Sequence, residues 1–488
     1  MVETLFQGGG ASDTGRNESL QFFTKYYVSL LDRFYFHKLQ SAMGDANLKS
    51  MAVPIKISFL PRAIGQFNSK LSPYMLHSLL AVLLSAYMTS AAPKEMLRVL
   101  NWWSSTSEHE AVDVLAAKLA KENILWKEVL IPSGSGVGAM IVLKSRVIAG
   151  EAPEVAQLNG TIIGDWANLG LLQNLDTVAE NGKWDKLLFP AIYSWIRPHG
   201  HVAVAPLGIH RVNTLLYNTR IFDRYKLAPP QSWDDFVRIA TILQKAGIPA
   251  LTQSSEPWQV STLFESLVLA ESGAPFYLDI FVNKDPRAYA DERFAQALQR
   301  LRTLKNWMAK PIREQNWTDV AHQFADGDAA MMVMGDWAKG ELNAWGLSAD
   351  TDFGCTAVPG TGNYHLFDID TLAMFVSDKS HRMAQQKLAK IVVSTELQND
   401  YNQIKGSIPA LRNPDLSRMD SCARASWKMF SRGPSVQVPS FSHRMATDET
   451  SRETIINELH RFFMDDNISV EEAQHRFVLM AKILHNTN

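Results

Sequence analysis

Strand-length apolar runs alternate with helical segments after about residue 95, and this alternation constrains the fold more than any other feature of the chain. Residues 96–103 read as a strand, and Ser107 with Glu110 forms an S-x-x-E pattern that predicts a capping box opening a helix over 111–121. A second strand over 126–131, a helix over 141–149, a third strand over 155–158 and a helix over 163–169 follow. The pattern predicts an α/β architecture built on a mostly parallel sheet covered on both faces. The glycines of GSGVGAM do not match a phosphate loop, because no Lys follows at the required place.

Residues 201–218 form two extended apolar pieces broken at Pro206 and Gly208, the pattern of a strand crossing between lobes. Residues 353–362 are a second crossing candidate. Between them Ser232 opens a helix with Asp234 and Asp235 in its first turn, where carboxylates oppose the helix dipole. Further helices are predicted over 256–273, 291–308, 380–394 and 469–484, with a strand over 371–376 and a helix starting near Asp336.

The chain has 488 residues, of which 46% are hydrophobic, enough for two domain-sized cores. Forty-eight basic residues against 50 acidic ones leave no surplus for a phosphate backbone, so no nucleic-acid partner is expected. Thirteen Trp lean toward ligand binding, because the large ring and its N–H are costly to place.

Residues 76–88, LHSLLAVLLSAYM, have the length of a secretory signal core and are too short to span a bilayer. Small residues at 89–92 and then Pro93 follow, so residues 75–92 are expected to be a signal peptide. Residues 1–74 are expected to be an N-terminal extension outside the fold, with translation starting at Met75. No Cys follows the signal, which predicts a periplasmic protein rather than a lipoprotein. Cys355 and Cys422 are the only cysteines, and an oxidising compartment favours one disulfide between them. Their spacing does not suggest a metal site, and no cofactor is expected.

Seven segments, LNWWSSTSE, APEVAQLNG, IHRVNTLLYN, FADGDAAMMVMGDWAKGE, AVPGTGNYHLFDIDT, IKGSIPA and VPSFSHRMA, occur in the order found in periplasmic glucose/mannose-binding proteins of ABC sugar importers. The chain resembles that family over about residues 94–484. The resemblance implies a two-lobed periplasmic binding protein fold, type II-like, with a ligand cleft between lobes joined by hinge strands. Lobe 1 is expected to comprise residues 93–204 and 363–405, and lobe 2 residues 205–362 and 406–488. It further implies a monomer that binds a monosaccharide, glucose first, and delivers it to the permease and its ATPase, without catalysis.

A pyranose presents an apolar C–H face and a rim of hydroxyls, so its site needs flat aromatic surfaces and charged hydrogen-bonding groups. Trp102 and Trp103 stand at a strand end; adjacent strand residues face opposite ways, so both reach one cleft only if the strand has ended there. Glu108 can accept from hydroxyls or complement a helix dipole. By resemblance Trp317 and Trp337 wall the other side, and Asp368, Lys405 and His443 supply an acceptor, an ammonium donor and an imidazole. Gln157 and Asn159 complete the expected site; Ser135, His210 and Asp336 are weaker candidates, and His210 and Arg211 also suit a brace at the hinge. Three positions depart from the family: Asn159 stands where relatives carry a basic donor, Asp368 where many carry Asn, and Phe441 where a Trp is found. Two other functions fit parts of the pattern. A sugar sensor for a chemoreceptor or kinase would use the same site, and a glycoside hydrolase would pair Glu108 with Asp336.

Overall fold

The structure, a computed structural model, describes residues 95–132 and 136–485. The predicted signal peptide, the extension before it and Ser135 lie outside the described residues. Among the described residues no helix is long and apolar enough to cross a membrane.

Two sheets organise the chain. The first contains β1 (Glu95–Asn101), β2 (Ile124–Leu130), β3 (Val155–Leu158), β4 (Val204–Arg211), β9 (His365–Met374) and β10 (Gln437–Pro439). The second contains β5 (Thr214–Asn218), β6 (Leu251–Thr252), β7 (Met331–Val333) and β8 (Phe353–Ala357), in the order β6-β7-β5-β8. Three of the five pairings in the first sheet are parallel, as the sequence pattern predicts, whereas the second sheet is mostly antiparallel. β1 runs parallel to β2 and β3, but β9 runs antiparallel to both β3 and β4. The physical reason is connectivity. β9 re-enters the first sheet from the second rather than through a crossover helix, so nothing requires it to run with its neighbours.

Each sheet lies in its own hydrophobic core. Leu97, Val99, Leu115, Val155, Leu207 and Leu372 belong to the first, and Leu216, Phe236, Leu263, Met332 and Phe462 to the second. The chain passes between them at Val212 and Asn213, joining β4 to β5, and again between β8 and β9. β4 does not break at Pro206 and Gly208 as expected; it continues through both with a bulge, which absorbs the ladder hydrogen bond that Pro206 cannot donate. Ile408, Ala410, Leu411, Ala423 and Phe430 pack in the first core. Residues 408–430 therefore belong with lobe 1, whereas the sequence reading assigned everything from 406 onward to lobe 2. Their helix over Ser421–Phe430 buries Ala423 and Phe430, and the Phe430 ring meets Phe189 and Phe367 of the first core.

The first helix also starts earlier than its sequence pattern suggested. It spans Thr106–Ala120, and the capping box is Ser105 with Glu108, not Ser107 with Glu110. Two S-x-x-E patterns overlap here, and the one nearer the strand end takes the cap, because β1 ends at Asn101 and only a short turn intervenes.

Cys355 and Cys422 form a disulfide, with their Cα atoms 5.8 Å apart. Cys355 lies on β8 at the edge of the second sheet, and Cys422 on the Ser421–Phe430 helix of the first core, so the bond ties the two lobes together. It closes a loop of 67 residues, for which loop-closure entropy gives a stabilisation of about 4 kcal/mol. Cys355→Ala is expected to lower unfolding free energy by up to that amount in chemical denaturation, and intact-mass analysis of the purified native protein should find no free thiol. Two free thiols, or a variant as stable as the parent, would contradict this.

Candidate functional site

β9 pairs with β4 along one edge, whereas its other edge is shared end to end by two short strands. β3 pairs with residues 371–374 and β10 with residues 365–367. Between them Asp368, Ile369 and Asp370 have no strand neighbour on that side. Asp368 and Asp370 are two residues apart on an extended strand and so point to the same face. This gap in the ladder is the floor of a cleft of about 520 Å³.

The cleft is lined by Trp102, Trp103, Glu108, Gln157, Asn159, His210, Trp317, Trp337, Asp368, Asp370, Lys405, His443 and Arg444. All ten of the principal residues picked from the sequence line this cleft, from seven separate stretches of chain. The weaker candidate His210 joins them. Asp336 does not line the cleft; it lies behind His210. Asp370 and Arg444 were missed. The i, i+2 spacing of two carboxylates on one strand could have revealed Asp370, but Arg444, held at a φ of +68° beside His443, carries no periodic signal.

The polar groups form two hydrogen-bonded sets, one around Asp368 and Asp370 and one around Glu108. Gln157 Nε2 donates to Asp370 Oδ1 at 3.0 Å, and Asn159 Nδ2 donates to Asp368 Oδ2 at 3.0 Å and to Asp370 Oδ1 at 3.2 Å. His210 bridges two carboxylates, with Nδ1 2.6 Å from Asp336 Oδ1 and Nε2 3.2 Å from Asp370 Oδ2. Asp336 Oδ2 accepts the Arg211 backbone N–H at 2.9 Å. Lys405, in the last turn of the Thr395–Lys405 helix, donates to Glu108 Oε1 at 2.9 Å, while Glu108 Oε2 accepts the backbone N–H groups of Ser104 and Ser105. Glu108 thus closes its helix cap and orients the ammonium at once.

Burial and charge set the ionisation of these groups. Burial alone would depress the His210 imidazole, but the Asp336 charge and the hydrogen bonds to Asp336 and Asp370 outweigh it and raise it to about 9. Burial, reinforced by the charge of Asp370, pushes the Asp368 carboxyl up to about 7. Asp370 is held low against its burial by His210, which bonds to it directly. Lys405 is likewise raised despite burial by the charges of Glu108 and Asp370.

The aromatic walls come from both cores. β1 ends at Asn101, and the turn after it brings both Trp102 and Trp103 to the cleft. Trp103 is only 1% exposed and meets Tyr401 edge-on at 6.3 Å, so it is a core residue that shows one edge to the cleft. Trp102 is partly exposed, and its indole lies against Gly136, where a Cβ would sit 2.9 Å from the ring. Gly136, just before the Val137–Ile148 helix, is therefore a backing for an aromatic plate. Across the cleft Trp337 packs edge-on with His443 at 5.0 Å and with His210 at 5.4 Å. Gly335 backs that ring in the same way, with no room for a Cβ.

These bonds bear on catalysis. Both oxygens of Glu108 and both of Asp336 are already engaged, and Asp336 is outside the cleft, so the two do not flank a space that a glycosidic bond could occupy. A larger groove of about 1040 Å³ between the Trp337–Ala344 and Thr395–Lys405 helices has no aromatic lining.

Residues 116–420 match the family model described as bacterial extracellular solute-binding protein. A probable sugar-binding periplasmic protein of Brucella suis is 33% identical over 339 residues, 70% of this chain and 80% of its own length. The chain belongs to the bacterial extracellular solute-binding proteins. A probable sugar-binding periplasmic protein of Rhizobium meliloti is 32% identical over 71% of this chain and 83% of its own. Among solved structures, the bacterial solute receptor AcbH, described as having an exclusive preference for b-D-galactopyranose, superposes with a TM-score of 0.70 at 16% identity, over 80% of this chain and 100% of its own. Maltose-bound MalE3 of T. maritima gives 0.64 at 18%, over 80% and 99%. At those identities the likeness establishes the two-lobed fold. Members of this solute-binding family are receptors, not enzymes.

The His210 network has a pH signature. A histidine raised from its ordinary 6.5 to about 9 stabilises the fold fully below about 6.5, and that contribution is lost as pH rises through 9. Between pH 7.5 and 9.5 the thermal midpoint is expected to fall, and His210→Gln should flatten the slope. An equal slope in parent and variant would show that His210 is not the titrating group.

Proposed function

We propose that the protein is the substrate-binding component of an ABC carbohydrate importer of the periplasm, taking one monosaccharide in this cleft and presenting it to the membrane permease and its ATPase. Glucose is the first candidate, with mannose or another hexose as alternatives. The observation that carries the reading is the pairing of indole surfaces from two separate cores, Trp102 from one and Trp317 and Trp337 from the other, around buried carboxylates and an ammonium. An apolar sugar face needs the first and the hydroxyl rim needs the second. The relatives described as sugar-binding periplasmic proteins support the same class of ligand.

In this reading the aromatic plates hold the ring, while Asp368, Asp370 and Lys405 fix its hydroxyls. Closure of the lobes over the ligand excludes water and strengthens those hydrogen bonds. The charged groups are already oriented by Asn159, His210 and Glu108, so little ordering entropy is lost on binding.

Titration with glucose, mannose, galactose and xylose is expected to give a Trp fluorescence change and a rise in thermal midpoint with at least one of them. No response to any of the four would contradict the proposal. Trp102→Ala should weaken binding by about 1–3 kcal/mol, the worth of one stacking face. Its thermal midpoint should move less than that of Trp103→Ala, because Trp103 is packed in the core. Gly136→Ala should also weaken binding, by displacing the Trp102 ring it supports.

A further inference from the structure

The charges around the cleft do not balance. Lys405 is committed to Glu108 and His210 to Asp336 and Asp370, while Arg444 pairs with Glu449. Asp368 is different. It is 3% exposed, and among the described residues no Lys, Arg or His lies within ion-pair distance of it. Its carboxylate accepts only from neutral donors, the Ile369 backbone N–H at 2.8 Å and the Asn159 amide at 3.0 Å. Beside it the amide oxygen of Asn159, a residue 6% exposed, is buried with no hydrogen-bond partner. The network therefore leaves two acceptors at one end of the cleft, one of them a carboxylate without a counter-charge.

A buried carboxylate without a cation is costly to keep ionised, and a buried acceptor without a donor is costly too. A neutral hydroxyl offers one proton to one of the two. A protonated amine offers up to three, with a charge that Asp368 lacks. We propose that the cleft prefers a hexose in which an ammonium replaces one hydroxyl, an amino sugar, with the ammonium seated between Asp368 and the Asn159 oxygen. This rests on the monosaccharide reading above and narrows it to a substrate class. The ionisation of Asp368 agrees with it. Burial and the charge of Asp370 push that carboxyl up to about 7, although His210 and the bonds from Ile369 and Asn159 oppose them, and a cation beside it would favour its ionised form.

The test compares 2-amino-2-deoxyglucose, glucose and N-acetylglucosamine by calorimetry on the parent protein at pH 7. The amino sugar should bind at least tenfold tighter than glucose, and the N-acetyl derivative, which has the nitrogen without the charge, should lose that advantage. Asp368→Asn should bring the amino-sugar to glucose affinity ratio close to one. Asn159→Lys, which installs a resident cation beside Asp368, should do the same. Glucose binding as tightly as the amino sugar, or a ratio that both variants leave unchanged, overturns this inference and leaves the importer reading standing. Binding of none of these sugars and none of the other hexoses overturns both.

Discussion

The structure depends on a gap in one ladder. β9 is buried along its whole length, and a buried strand is ordinarily paired on both edges, yet between β3 and β10 its residues 368–370 face a space instead of a neighbour. Two carboxylates stand in that space, and such charges persist in a low-dielectric interior only when other groups hold them. Gln157 and Asn159 at the end of β3, and His210 on β4, do so from both edges of the strand. The same residues line the cleft proposed for the ligand. Like the switch points of open α/β sheets, the cleft forms where strand pairing stops and side chains must take over from the backbone.

The aromatic plates depend on that floor from two directions. Trp102 and Trp103 follow β1, whose parallel pairing with β3 sets their height above the aspartates. Trp337 follows β7 and packs on His210, so the second lobe registers against the first through an imidazole held between Asp336 and Asp370. Both Trp102 and Trp337 rest on glycines, a backbone surface that cannot shift rotamer, and this keeps each ring in one orientation before any ligand arrives.

Much of the site was legible in the sequence, and less of the fold was. The cleft residues were legible because seven motifs in the order of a known family carry most of them; Trp317, Trp337, Asp368, Lys405 and His443 taken singly have no signal that separates them from core or surface residues. Asp370 shares a face with Asp368 only because both lie on one extended strand, and the motif alone does not state that period. Arg444 depends on a left-handed backbone turn that no pattern encodes. Alternation of strands and helices records which elements exist; it does not show that β9 runs antiparallel to β3 and β4, because that depends on how a chain that crosses three times between the cores re-enters its first sheet. The return of residues 408–430 to the first core was invisible for a related reason: apolar residues such as Ile408 and Phe430 state that they are buried, but not in which of two cores. The first helix start was displaced because Ser105 and Ser107 offer overlapping capping patterns, and only the end of β1 decides between them.

A crystal structure of the protein soaked or co-crystallised with a hexose that it binds would show whether the gap along β9 is the ligand floor. A single sugar ring is expected against the Trp102 indole, with hydroxyls within hydrogen-bond distance of Asp368, Asp370 and Lys405. A sugar found instead in the groove between the Trp337–Ala344 and Thr395–Lys405 helices, with the β9 cleft empty, would contradict it.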